Sequence, residues 1–460
     1  MNATTNPGGP PAAPEPGRRR RTVDVLVIGA GPAGLAAAAR LSAAGAGTVE
    51  VVDREEQAGG APRYCYHSGF GLRELRRPMS GPAYARHWCD LATGAGAVLR
   101  TGVCVTGWAE RHGPADPLGH ENAPGRMGGS GRRDAPTGPN RLAVDTTAPD
   151  GLERLTAGAV VLATGARERP RGARLVPGTR PAGVFTTGEL QQSVHQHHRR
   201  IGRRAVVVGA EPVSYSAVRT LRAAGVEVAA MITDQPRHQA SWASELDARL
   251  HRRIPLLTGT TVAELLGRGR LRGVALRHTD GRTTTVACDT VVFTGDWIPD
   301  HELARRGGIA LDRGTRGPAV DTSFRTAAPG VFAVGNLLHA VEPAGTAVRE
   351  GRLVAGPVLR YLTDGTWPGG QVPVEVAAPL RWVAPNRIDP HGPRPPLGRF
   401  TLRTAEPTGR LSVLVVSQGG RVLHRERLRR GAVPNRPLYA SADWIDRADP
   451  GGGPVMITLG

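Results

Sequence analysis

The sequence contains no lysine, so all 59 of its Lys+Arg residues are arginine and the net charge of +19 rests on guanidinium groups alone. Aromatic residues make up only 4%. A nucleic-acid surface needs clustered cations interleaved with stacking rings, and that scarcity argues against one. Four cysteines, Cys65, Cys89, Cys104 and Cys288, lie far apart with no C-x-x-C pair. This argues against a disulfide framework or a thiolate zinc site and points to a cytoplasmic protein with free thiols. No apolar run approaches the roughly 18 residues of a membrane span. Arg18 to Arg21 precede TVDVLVIGAGPAG, whose glycine pattern and charged Asp24 mark a folded strand-turn-helix rather than a twin-arginine export signal. The histidines of QQSVHQHHRR, His195, His197 and His198, have no carboxylate or cysteine at ligand spacing, so no metal site is expected.

What is present is a duplication. VDVLVIGAGPAG at 23–34 is echoed by RRAVVVGAEPVS at 203–214, and VVLATG at 160–165 by VVFTG at 291–295. Continuous Val/Ile/Leu runs that pass through glycine into helices indicate parallel strands covered on both faces. The fold class expected is therefore α/β, with two Rossmann-like doubly wound dinucleotide-binding domains, the second inserted in the first. A small β-rich domain follows, in which RFTLRT, LSVLVVSQ, RVLHRERL and PVMITL read as strands and Gly419-Gly420 as a hairpin turn. The divisions expected are a disordered tail at 1–21, a first dinucleotide domain at 22–200 and 309–371, the inserted domain at 201–308 and the β-rich domain at 372–460. Within the first, residues 112–140 are rich in glycine and proline and read as a flexible surface insertion.

Gly29, Gly31 and Gly34 form G-x-G-x-x-G directly after a strand. The three glycines allow a tight turn, a close approach of backbone to pyrophosphate, and close packing of helix on sheet. Asp53 ends the next strand, 24 residues after Gly29, where a carboxylate can accept a ribose hydroxyl. At the second turn the middle position is Glu211 and the third is Ser214. A carboxylate at the middle position adds bulk and charge where pyrophosphate would lie. One unit-charge repulsion at ~4 Å is worth about 4 kcal/mol at an effective dielectric of about 20. Glu211 is expected to occupy the anion site itself, and the strand-end position that would hold a ribose-binding acid is Ile232. NAD(P) binding to this second domain is accordingly doubtful.

The combination of GAGPAG, Asp53, VVLATG and PGVFAVGN resembles the two-dinucleotide-domain flavoproteins of glutathione-reductase-like fold. The resemblance covers about residues 22–365 and implies FAD in the first site. It assigns cofactor binding to Gly29, Gly31, Pro32, Ala33, Gly34, Asp53, Arg54, Gly60, Val105, Ala163, Thr164, Gly165, Gly335 and Asn336. Asn336 stands where the family usually has an aspartate on the ribityl chain, which keeps an acceptor and removes a charge. The helix that follows would aim its positive end at the flavin pyrimidine. GGAPRYCYHSGFG (59–71) and ATGARERP (163–170) are similar to the flavoprotein subunits of sarcosine oxidase, opine oxidase and hydrogen cyanide synthase. Those enzymes oxidise amino acids or secondary amines with partner subunits.

Disulfide reductases of this fold carry a C-x4-C pair after the Gly-Gly, and Pro62 and His67 stand at those positions here. A flavin–dithiol relay therefore cannot operate. His67 and His339 are the candidate catalytic groups, able to take an amine proton near the flavin or to cover it structurally. The expectation is an FAD-dependent oxidoreductase acting on an amine or amino acid by hydride transfer to flavin N5. Its substrate would be a small molecule, and the resemblance implies a partner subunit. The alternatives are an NAD(P)H-dependent flavin reductase and a non-catalytic flavin-binding subunit of a hetero-oligomeric oxidase.

Overall fold

The computed structural model describes residues 18–109, 141–240, 253–395, 397–409, 411–428 and 430–460. The tail 1–17 and the insertion 112–140 lie outside them, so the expectations placed on those stretches are not addressed. The first strand, Arg19–Ile28, starts inside the stretch expected to be disordered. Arg19 to Arg21 pair in register with Glu153 to Leu155 of strand Gly151–Leu162, and Arg21 reaches the buried Glu50 at 2.7 Å. Arg100 contacts the same Glu50 at 2.9 Å and Glu153 at 2.7 Å. Neutralised glutamates thus hold the outer ends of these strands together.

The first sheet runs Val98–Arg100, Val49–Val52, Arg19–Ile28, Gly151–Leu162, Leu142–Ala148, Cys104–Trp108, with Val331–Ala333 also paired to Gly151–Leu162. Pairing is parallel through Gly151–Leu162 and antiparallel from there through Leu142–Ala148 to Cys104–Trp108. Val25, Leu26 and Val27 are fully buried, as parallel strands covered on both faces must be. Helix Pro32–Ala43 follows the glycine turn and buries Leu35 and Leu41; truncating either to alanine costs about 2–5 kcal/mol. It packs on helix Ala344–Asp364 through small residues, since a side chain at Gly351 would lie 2.1 Å from the Ala33 carbonyl oxygen.

The second sheet is wholly parallel, in the order Val184–Thr186, Thr290–Phe293, Arg204–Val208, Glu227–Ile232, Leu256–Leu257. It takes its edge strand from residues ahead of 201, and helix Thr187–His195 follows that strand with a complete capping box of Thr186 and Glu189. A short antiparallel ribbon, Ala166–Glu168 against Trp297–Pro299, joins the two units at the points where the chain crosses between them. Strands Thr260–Leu266, Gly273–His278 and Thr283–Ala287 form a separate antiparallel sheet, and from Val372 onward the chain forms a five-stranded and a three-stranded sheet around Phe400, Trp444 and Val455. The hairpin Val413–Gln418 to Arg421–Arg427 turns on Gly419 and Gly420, whose φ angles of 54° and 83° are left-handed, as a two-residue loop demands. No helix among the described residues is long and apolar enough to cross a membrane.

Candidate functional site: two turns of one design

The first turn sits where the central strands end. Gly29 has φ of 109°, and a side chain there would lie 2.4 Å from the Ala163 carbonyl oxygen, so the turn is pressed against the end of VVLATG. At Gly34 an added carbon would lie 2.0 Å from the Gly29 oxygen, which is the close helix–sheet contact the motif requires. Gly31 is different. Nothing lies within 4 Å of the place its side chain would occupy. No side chain caps the helix that begins at Pro32, so its first amides and positive dipole end face that open space.

Asp53 lies beside the same turn. Its Oδ2 accepts the Ala30 amide at 2.6 Å and its Oδ1 the Glu55 amide at 2.9 Å. Each oxygen keeps a further lone pair for a ribose hydroxyl. Gly59 donates to the Ala30 oxygen at 2.8 Å, which folds the loop carrying Gly60 over Gly31. Arg54 is mostly exposed and pairs with Asp300 at 3.1 Å. The Thr164 hydroxyl donates to the Asp300 carbonyl at 2.7 Å, and the Gly165 oxygen accepts the Asp300 amide at 2.9 Å. Val105 lies on the antiparallel strand opposite Thr146. An open cradle of backbone amides with one carboxylate at its rim fits a dinucleotide, and it fits FAD.

Gly335, with φ of 75°, abuts Ala33 and donates its amide to Glu350 Oε2 at 2.9 Å. The Asn336 side chain is turned along its own loop: Oδ1 accepts the Glu342 amide at 2.8 Å and Nδ2 donates to the Glu342 carbonyl at 3.2 Å. His339 is buried. It is 3% exposed, its Nε2 lies 2.7 Å from Glu350 Oε1, and it lines a cavity of about 20 Å³ together with Ala384, Pro385 and Thr401. Burial disfavours the charged ring, but the Glu350 carboxylate outweighs it and holds the pKa above the ordinary imidazole value. A histidine sealed beneath another domain and tied to a glutamate is a structural lock. His67 lies elsewhere, with its ring stacked 5.1 Å from Phe70 and Nδ1 placed 3.1 Å from the Ser68 carbonyl. Burial lowers its pKa and favours the neutral ring.

The second turn repeats the backbone of the first with Glu211 in the middle. The side chain is 6% exposed and folds back into the turn rather than out to solvent. Its Oε2 accepts the Ala210 amide at 3.0 Å. A side chain at Gly209 would lie 2.7 Å from that oxygen, and one at Gly295 would lie 2.6 Å from Oε1. The carboxylate therefore fills the space between the two glycines. Burial raises its pKa, while the hydroxyls of Thr294 and Ser214 and nearby amides oppose the rise. Arg174 closes the other side, donating to the carbonyls of Thr294 at 3.1 Å and Gly295 at 2.6 Å. At the strand end Ile232 is fully buried and Asp234 is exposed.

Sequence reasoning passed over Glu168. It sits in the inter-unit ribbon, 7% exposed, and its Oε2 accepts the Gly188 amide at the start of helix Thr187–His195 at 3.0 Å. Burial pushes its pKa up to about 7. Only its place three residues past Gly165 in ATGARE could have drawn attention to it. The Cys65 thiol lies 3.3 Å from Gln191 Oε1, and burial holds its pKa up at about 12, so it stays protonated at neutral pH. All four cysteines are free. Among the described residues no set of three His, Cys, Asp or Glu side chains is arranged to hold a metal, and His195 stacks on Tyr66 at 4.2 Å.

The profile of the pyridine nucleotide-disulphide oxidoreductase family matches residues 23–351. An opine oxidase subunit of Agrobacterium tumefaciens is 27% identical over 74% of this chain and 66% of its own length. The alpha subunit of sarcosine oxidase from Rhizobium meliloti is 29% identical over 62% of this chain and 25% of its own length. The chain thus spans less than two thirds of either relative. Thioredoxin reductase of T. acidophilum superposes with a TM-score of 0.59 at 23% identity, covering 74% of this chain and 98% of that one, a likeness of fold.

Proposed function

Because the chain belongs to the pyridine nucleotide-disulphide oxidoreductase family, whose flavoprotein members imply FAD here, we propose that it is an FAD-dependent oxidoreductase that takes a hydride from the carbon beside an amine nitrogen, oxidising C–N to C=N. Nicotinamide is not the donor in this reading. The observation that carries it is Glu211, whose carboxylate occupies the second turn where a pyrophosphate would have to lie. The named relatives agree in kind, one belonging to an opine oxidase and the other to a sarcosine oxidase.

The FAD pyrophosphate would be held at Gly31 and the start of helix Pro32–Ala43, and a ribose at Asp53. When bound, FAD supplies a two-electron acceptor for the hydride of an amine carbon. This chain's part is to bind, orient and deprotonate. A carbonyl accepts from His67 Nδ1, so the hydrogen sits there and Nε2 keeps its lone pair. Nε2 would take a proton from the substrate ammonium and free the nitrogen lone pair that assists hydride departure. Loss of one proton and one hydride from the ammonium leaves an iminium ion, which water hydrolyses to a carbonyl and an ammonium.

The test is anaerobic mixing of the yellow holoprotein with amino acids, secondary amines and opines, and separately with NADH and NADPH. Bleaching by an amine, with nicotinamide inert, is the expected result. Rapid bleaching at micromolar NADH or NADPH overturns the reading. A second reading, a flavin protein whose partner completes the site, is favoured by the exposed Tyr66 and Leu72 on the loop that carries His67. It predicts a stable yellow protein that gains amine activity only on adding the partner.

A further inference from the structure

The β-rich domain reaches the first site through one buried ion pair. Arg403, on strand Arg399–Thr404, is 5% exposed and pairs with Glu342, itself 2% exposed. The same guanidinium donates to the Val341 carbonyl at 3.1 Å and lies 5.0 Å over the Trp382 ring. Glu342 is held from the other side by Asn336, which bonds both its amide and its carbonyl. Immediately after Glu342, Pro343 begins the helix Ala344–Asp364, whose Glu350 accepts the Gly335 amide and meets His339.

We propose that Arg403 is a positioning residue of the FAD site: by fixing Glu342 it sets the Asn336 loop and the start of helix Ala344–Asp364. The β-rich domain is in this view a working part of the cofactor site rather than an appended module. A buried ion pair is a poor stability device, because well-packed apolar residues often do as well or better. Its use lies in geometry, and a planar guanidinium that binds a carboxylate and a carbonyl while stacking on an indole admits one arrangement. That geometry is passed on by Asn336 to Gly335, which abuts Ala33 of the first turn. The inference rests on FAD in the first site and is independent of the substrate class.

The experiment measures the FAD dissociation constant of reconstituted protein, the flavin circular-dichroism bands and the flavin reduction potential. Arg403→Met is expected to weaken FAD binding about tenfold or more, of the order seen when the partners that orient a bound group are removed, and to shift the bands and the potential. Arg403→Lys should fall between the two. Arg436→Met is the control, because Arg436 joins the same domain to the second unit by donating to the Gln239 carbonyl at 2.6 Å. It should lower the melting temperature and leave all three flavin readouts unchanged. If Arg403→Met fails to fold around the stranded Glu342 carboxylate, the double variant Arg403→Met/Glu342→Gln removes that charge, and FAD should still bind more weakly than in the wild type. Wild-type flavin affinity, bands and potential in Arg403→Met or in the double variant overturn the proposal, as does equal loosening of FAD in Arg436→Met.

Discussion

At the middle position of the first turn a side chain would point into open space, whereas in the second the carboxylate of Glu211 lies folded between Gly209 and Gly295. Around that position the two turns share one backbone. Gly29 and Gly209 are both left-handed, at φ of 109° and 136°. Each donates its amide to the end of the neighbouring strand, to Val52 at 2.8 Å and to Ile232 at 2.7 Å. Each helix opens on a proline, Pro32 or Pro212, with no side-chain cap. The middle residues even share a conformation, φ −81° and ψ −179° at Gly31 against φ −90° and ψ 172° at Glu211. That is extended backbone, open to any residue. The first glycine is thus required by the turn, and the second by whatever ligand sits against it.

The strongest way to break this comparison is to move the carboxylate. Gly31→Glu should fold, since the backbone allows it and nothing lies within 4 Å. It should lose FAD, because a charge set ~4 Å from a phosphate costs about 4 kcal/mol at an effective dielectric of about 20, or about a thousandfold in affinity. Apoprotein melting curves and FAD titration read the two halves separately. Near-normal flavin binding in a folded Gly31→Glu protein would break the equivalence of the two positions.

The two regions also differ in how deeply their acids lie. Asp53 in the first is only half-buried, while Glu168 is enclosed in the ribbon beside the second unit. Burial, reinforced by the charge of Glu211, carries Glu168 to about 7 against the usual 4.5. The folded protein holds this proton more tightly than the unfolded chain does. The contribution is therefore full below 4.5 and is lost as pH rises through 7, in total about 3 kcal/mol. Denaturant unfolding across that window should show the decline, and Glu168→Gln should flatten it. An unchanged slope in Glu168→Gln would place the carboxyl in water.

The duplication, the order of units and the tail strands were legible because burial on both faces forces continuous apolar runs, as at Val25 to Ile28 and Val206 to Val208. Glu211 was legible as a departure from a strict pattern. His339 was not, since its distance from Gly335 along the chain says nothing of Glu350 or of the strands that seal it. The contacts of Asn336 within its own loop were hidden for a related reason, since amide side chains choose partners by loop geometry and its acceptor meets the Glu342 amide. Glu168 and Arg403 were invisible, because their meaning comes from contacts across units, 20 residues away at Gly188 and 61 at Glu342.

Two smaller substitutions sharpen the comparison from the side of the second turn. Glu211→Gly restores the middle glycine and should raise affinity for NADH or NADPH about tenfold or more, the effect of removing a well-screened charge. Titration of the variant with either nucleotide decides it, and unchanged binding would mean that the missing strand-end acid at Ile232, not the carboxylate, closes the site. Ser214→Gly restores the third glycine and should do much less. The Ser214 hydroxyl lies 2.7 Å from Thr294 Oγ1, which itself donates to the Val208 carbonyl at 2.9 Å. Its loss costs about 1 kcal/mol of stability, while the Glu211 carboxylate stays in place and nucleotide binding stays weak. The double variant should then bind nucleotide no better than Glu211→Gly alone. A further gain in the double variant would show that the third position also gates the ligand.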